Sequence, residues 1–166
     1  MPKPASTQIA VIGIDIGKNS FHVVGHDKRG SIVLRQKWSR GQIEARLANL
    51  PPCLIGMEAC ATSHHWAREL RALGHDVRLM PASYVKAYVK RNKNDPADAA
   101  AICEAVARPT MRFVAVKTAE QQAAVLLHRG RERLVRQRTA LVNALRGHLA
   151  EYGMIAPQGL RNDLPQ

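Results

Sequence analysis

Two aspartates, Asp95 and Asp98, lie three residues apart in KRNKNDPADAAAI (residues 90–102), directly after Lys90, Arg91 and Lys93. That spacing sets both carboxylates one turn apart on one helix face, where they can reach a common site. Asp15 lies in the middle of IGIDIGK and Glu58 closes CLIGME, each among apolar residues that imply a buried strand. An ionised carboxylate there is costly unless something compensates it, and a hydrogen-bonded acid at a strand end is the ordinary explanation of either one alone. Brought together, three or four such groups raise one another's pKa and repel, and a divalent cation with oxygen ligands resolves the conflict. Mg2+ or Mn2+ is therefore the expected cofactor. Two such ions about 4 Å apart activate the attacking oxygen and stabilise the leaving oxygen of a phosphodiester. The neighbouring lysines and arginines would then hold the phosphate backbone.

Whether the acids meet depends on the elements that carry them. QIAVIGIDIG (residues 8–17), FHVVGHD and GSIVLRQKW read as three consecutive antiparallel strands, with a turn at Lys28-Arg29-Gly30. GQIEARLANL has helical spacing and stops at Pro51-Pro52, and CLIGME is a short apolar run suited to a strand buried on both faces. ATSHHWARELRALG reads as a second helix, with a Thr62 or Ser63 cap and a Gly74 stop, and HDVRLM as a fifth strand. The order β-β-β-α-β-α-β predicts an α/β mixed sheet flanked by helices, the ribonuclease H-like arrangement, in which the first and fourth strands are neighbours. Asp15 and Glu58 would then project side by side. PASYVKAYVKR follows as a short basic helix, and DPADAAAICEAVA as a helix opened by Asp95 with Pro96 at its first position.

The chain has 25 Lys and Arg against 13 Asp and Glu, a net charge of +12 that favours a polyanionic partner, DNA or RNA first. From Thr118 to about Tyr152 good helix formers run without proline, and Leu127, Leu134 and Leu141 recur every seven residues, with Leu145 and Leu149 nearby. Arg112 to Ala150 holds eight Lys or Arg and two Glu, half the excess of the whole chain. Expected phosphate contacts are Lys18, Lys86, Lys90, Arg91, Lys93, Arg129, Arg131, Arg133, Arg136 and Arg138. The leucine line predicts a two-helix seam, made either by the chain folding back or by a second protomer. GMIAPQGLRNDLPQ reads as a linker or frayed end. The expected organisation is a tail at residues 1–8, an α/β domain at 9–116, a long basic helix at 117–152 and a linker at 153–166. No apolar run reaches 18 residues and MPKPASTQ lacks a signal-peptide core, so a soluble intracellular protein is expected. Cys53, Cys60 and Cys103 have no framework spacing and are expected to be reduced and buried; with the histidines they complete no four-ligand zinc pattern.

IGIDIGK, GMEAC and KNDPADAAAI, followed by RFVAVKT and a long basic helix, together resemble the N-terminal RuvC-like domain of the DEDD transposases of bacterial insertion sequences, also called bridge-RNA-guided recombinases. The resemblance runs from about Ile9 to Leu160. It implies a catalytic tetrad of Asp15, Glu58, Asp95 and Asp98 as metal ligands, with Asp15 as the central bridging ligand, and DNA as substrate in transposition and recombination. It also implies a guide RNA, a coiled coil used in assembly and hence a homo-oligomer, and a bacterial cytoplasmic location. Members of that family are about twice as long and have a C-terminal domain with a nucleophilic serine, so this chain is expected to be a fragment or an abbreviated relative. Two other readings stay open. A non-catalytic binding module would use the same fold and basic surface with the acids as caps. An actin-like or sugar-kinase ATPase would share IGIDIG, but here Lys18 stands where such enzymes usually have Thr or Ser, and a second Gly-rich loop is not found.

Overall fold

The computed structural model describes residues 8–88 and 95–157 of the 166. The chain divides into two compact units, Met1–Thr118 and Ala119–Gln166. In the first, β1 (Val11–Ile16), β2 (Ser20–His26) and β3 (Ile32–Ser39) form an antiparallel meander; α1 (Ile43–Ala48) leads to β4 (Leu54–Glu58), and α2 (Ser63–Ala72) to β5 (Asp76–Met80). The short α3 (Ala82–Val85) and a 3-10 turn (Lys86–Tyr88) precede α4 (Asp95–Val106). The five-stranded sheet has the order β3-β2-β1-β4-β5, with β4 parallel to both β1 and β5. This is the ribonuclease H-like mixed sheet that the element order predicts, with β1 and β4 adjacent at its centre. The RFVAVKT segment joins its edge through Val114, whose N–H donates to the Leu79 carbonyl at 2.8 Å.

The two faces of the sheet carry separate cores. On one side Ile12, Ile14, Phe21, Val23, Trp38, Ile55 and Met57 bury against Leu47 of α1 and Trp66 and Leu70 of α2. On the other, the buried residues are those of α4 (Ala101, Ile102, Ala105, Val106) with Met80 and Val85. Strand alternation thus sends even-numbered residues of β1 into the first core and odd-numbered ones toward α4. The β2–β3 turn closes where the Asp27 carboxylate accepts the backbone N–H groups of Arg29 and Ser31 at 2.8 and 2.9 Å, and Gly30 supplies the positive φ of +84°.

Buried His75 ties α1, β4 and β5 together. Its Nδ1 accepts the Cys53 N–H at 3.2 Å, which leaves Nε2 to donate to the Leu47 carbonyl at 3.1 Å. Cys53 and Cys103 are buried as expected, and burial pushes their thiols up to about 11 and about 12 respectively. Cys60 is exposed, contrary to expectation, because the chain leaves the sheet after Ala59 and turns outward into α2. That turn is held by Ser63, whose hydroxyl accepts the Cys60 N–H at 3.1 Å and donates to the Cys60 carbonyl at 2.9 Å; Thr62, at the N-cap position, makes no side-chain cap bond.

The second unit contains α5 (Ala119–Glu151), a helix of 33 residues with no buried residue. No helix among the described residues is long and apolar enough to cross a membrane.

Candidate active site

Both central strands repeat one short pattern, Gly13-x-Asp15 on β1 and Gly56-x-Glu58 on β4. The period of a strand is two, so each acid shares a face with its glycine. The glycines show which face. A Cβ added at Gly13 would lie 2.2 Å from the Ala99 carbonyl oxygen and 2.4 Å from the Cys103 nitrogen, and one at Gly56 would lie 2.7 Å from the Val106 Cβ. The α4 helix therefore rests on bare backbone, and Asp15 and Glu58 project on its side, one step further along their strands.

The register brings those two acids together. The β1–β4 pairing runs from Val11↔Leu54 to Ile14↔Met57, so Asp15 and Glu58 are the next residues on neighbouring parallel strands. Such strands lie about 4.8 Å apart. Both acids are half-buried, at the edge where the sheet core meets solvent. On the other side of Asp15 its antiparallel partner is His22, and the partner of His22 is Lys37. One lateral row of the sheet thus reads Lys37, His22, Asp15, Glu58. Sequence reasoning missed His22 and Lys37, which belong to no motif; the cross-strand register is the signal that finds them.

The α4 helix crosses this face obliquely. Pro96 lies in a notch with His22 and Lys37, Ala99 and Cys103 lie over Gly13, and Val106 lies over Gly56. Its first turn is thereby held near the row of charged residues, and Asp98, half-buried, belongs to that turn. Asp95 is the first residue of α4, and its side chain lies outside the described residues. Among the described residues no group of three or more His, Cys, Asp or Glu is gathered closely enough to hold a metal ion. The structure therefore brings Asp15 beside Glu58 and places Asp98 on the helix above the same face, without closing the set of four. The chemistry of the donors fits a hard divalent cation, which takes carboxylate oxygens.

Of the expected phosphate contacts, Lys18 is exposed in the β1–β2 turn, where its carbonyl accepts from Arg40 Nη1 at 3.2 Å, and Lys86 is exposed in the 3-10 turn. Lys90, Arg91 and Lys93 lie outside the described residues. Arg129, Arg131, Arg133, Arg136 and Arg138 are all exposed on α5, and Arg136 pairs with Glu132.

Comparison with known proteins gives a consistent result. The model of a family described as "Transposase", of the DEDD type, matches residues 12–154. A probable family 20 transposase of Pseudomonas aeruginosa is 54% identical over 145 residues, covering 87% of this chain and 43% of that protein. A putative transposase of Sinorhizobium fredii is 49% identical over 158 residues, covering 95% and 41%. The transposase for an insertion sequence element of Yersinia enterocolitica is 47% identical over 152 residues, covering 92% and 46%. The chain spans less than half the length of these relatives. Among solved structures, T. thermophilus RuvC in complex with a Holliday junction substrate is similar with a TM-score of 0.43 and 14% identity, covering 58% of this chain and 90% of that one.

The close approach of α4 generates a stability prediction. Gly13→Ala must push the helix off the strand and is expected to destabilise the first unit by about 1–3 kcal/mol, as overpacking typically does. Gly130→Ala, on α5 with nothing within 4 Å of its Cβ position, is expected to stabilise by roughly 0.5–1 kcal/mol. Thermal melts of both variants check this, and an undisturbed Gly13→Ala would contradict the packing described.

Proposed function

This chain belongs to the DEDD transposase family, and we propose that it is the part of such a transposase that carries out metal-dependent phosphoryl transfer on DNA. The observation that carries the reading is the register that sets Asp15 beside Glu58 on the face of the sheet that α4 covers. The two strand acids, with Asp98 and Asp95 from α4, form the proposed tetrad. Asp15 and Glu58 would hold Mg2+ or Mn2+, with Asp15 central. When bound, the cation supplies charge neutralisation at a phosphodiester and lowers the pKa of an attacking hydroxyl or water. The residues of the chain do the rest. The rigid central strands fix the carboxylates, α4 adjusts the approach of its two aspartates, and the half-buried setting limits water around them. Lys18 and Lys86, with Lys90, Arg91 and Lys93, extend the site as phosphate contacts. The α/β domain is assigned to residues 9–116 and acts in the bacterial cytoplasm, where insertion-sequence DNA lies.

Asp15→Asn tests the reading. In cells carrying the reading frame that encodes this chain, the variant is expected to reduce transposition of the insertion sequence to background, while the far-UV circular dichroism of the chain stays that of the wild type. Wild-type transposition by Asp15→Asn would remove Asp15 from the chemistry.

The long helix, residues 117–152, is proposed to assemble two copies of the chain and to bind a guide RNA. Leu127, Leu134 and Leu141 are 75%, 67% and 62% exposed along one heptad line, and a helix of 33 residues with such a seam gains stability by pairing. Arg131 and Arg138 occupy the alternate line, so like charges oppose pairing until a polyanion neutralises them. Sedimentation with an RNA oligonucleotide checks both parts. Wild type is expected to dimerise more strongly with RNA, Leu134→Asp with Leu141→Asp to stay monomeric yet still bind it, and Arg129→Gln, Arg133→Gln and Arg136→Gln together to flatten the salt dependence of binding. A wild type that is monomeric with and without RNA would refute assembly through this helix, and an unchanged salt dependence would refute the RNA contact.

A further inference from the structure

We infer that the carboxylate row continues into a phosphate-binding subsite formed by Arg35, Lys37 and His22, which holds the nucleic-acid backbone beside the reacting phosphodiester. The inference rests on the proposed phosphoryl-transfer reading and adds positioning residues to it. Its first support is register. His22 is the cross-strand partner of Asp15, Lys37 that of His22, and Arg35 that of Val24, two residues from His22 on the same face. At about 4.8 Å per strand, His22 stands one strand from Asp15 and Lys37 two, roughly 5 and 10 Å along the row.

The second support is a notch of about 230 Å3 lined by His22, Val23, Val24, Arg35, Gln36, Lys37 and Pro96. Small-molecule sites usually occupy about 300–1,000 Å3, and a water takes about 30 Å3, so this space suits one phosphodiester group with a few waters rather than a whole metabolite. No acid lines it among the described residues. The Gln36 amide is turned to the opposite face, where its oxygen accepts from Trp38 Nε1 at 2.7 Å and from Arg46 at 3.3 Å. Arg35 and Lys37 line the notch with the His22 ring and apolar walls, and these two cations are the donors for an anion. The surrounding sequence adds to it, since residues 18–46 hold seven Lys or Arg against two acids.

The position relative to the carboxylates gives the subsite its role. A nucleic-acid strand rises about 3.4 Å per nucleotide, so the roughly 5 to 10 Å from Asp15 to the notch corresponds to about one to three nucleotides. A strand whose reacting phosphate meets Asp15 and Glu58 would place a flanking phosphate against Lys37 and Arg35. Holding that phosphate fixes the strand across the row and sets the register of attack, which is positioning and not chemistry.

Binding to a single-stranded DNA oligonucleotide, measured against salt in EDTA, tests the subsite independently of any cation. Lys37→Gln with Arg35→Gln is expected to lower the slope of log K on log salt by about 0.7 for each phosphate that is no longer neutralised. The control pair Lys28→Gln with Arg29→Gln, which removes the same charge at the turn of the same hairpin, is expected to lower it less. Equal falls would show that charge alone matters and overturn the subsite, as would no fall. The subsite is read from metal-free binding and the carboxylate reading from transposition by Asp15→Asn, so failure of one and failure of the other are seen in different experiments.

Discussion

The site depends on one close approach, the contact of α4 with the bare backbone of β1 and β4. A side chain at Gly13 would collide with the Ala99 carbonyl, and one at Gly56 with Val106. Because both positions are glycine, the helix lies directly on the strands, with the small residues Ala99 and Cys103 at its contact with β1. The acids two residues further along then emerge at the helix's edge instead of being covered by it. A helix held further off would leave room for side chains beneath it and set Asp98 further from Asp15 and Glu58. The pattern Gly-x-acid, read on two adjacent parallel strands, thus lets the helix pack closely and leaves the two acids side by side at its edge.

Much of the fold is legible in the sequence because its signals are local. The β-branched runs give the strands, Gly30 and Gly74 mark a turn and a helix end with φ of +84° and +93°, and Pro51-Pro52 separates α1 from β4. Element ends are less legible: β1 begins at Val11 and not Gln8, and α1 spans only Ile43–Ala48, since end residues lack the packing that fixes interior ones. The site is legible in part. Asp15 and Glu58 announce themselves as acids in apolar runs, whereas His22 and Lys37 are ordinary strand residues until the register aligns them. The exposure of Cys60 is not legible, because burial is a property of where the chain turns, and the turn at Ser63 is a side-chain to backbone bond with no strong sequence signature.

Charge is distributed to suit the two units. In the first, cations collect on the β2–β3 side of the carboxylates, so a polyanion lying along the row meets attraction on one flank and acids at the centre. In the second, arginines and leucines interleave on one long helix, where Arg136 pairs with Glu132, Arg146 donates to the Pro157 carbonyl, and no leucine is buried. Such a helix is poorly stabilised by itself, because amphipathic faces and not propensity supply most helical stability. Its composition is understandable if its environment is nucleic acid and a second helix.

Binding of a divalent cation by the two strand acids at the edge of α4 is read from the thermal stability of the protein against Mn2+ concentration. A ligand that binds only the folded state stabilises it by about 2.7 kcal/mol at one hundred times its dissociation constant. A saturable rise in the melting temperature of the wild type with Mn2+ is expected, and its loss in Asp15→Asn and in Glu58→Gln. An equal rise in all three proteins, or none in the wild type, would contradict it.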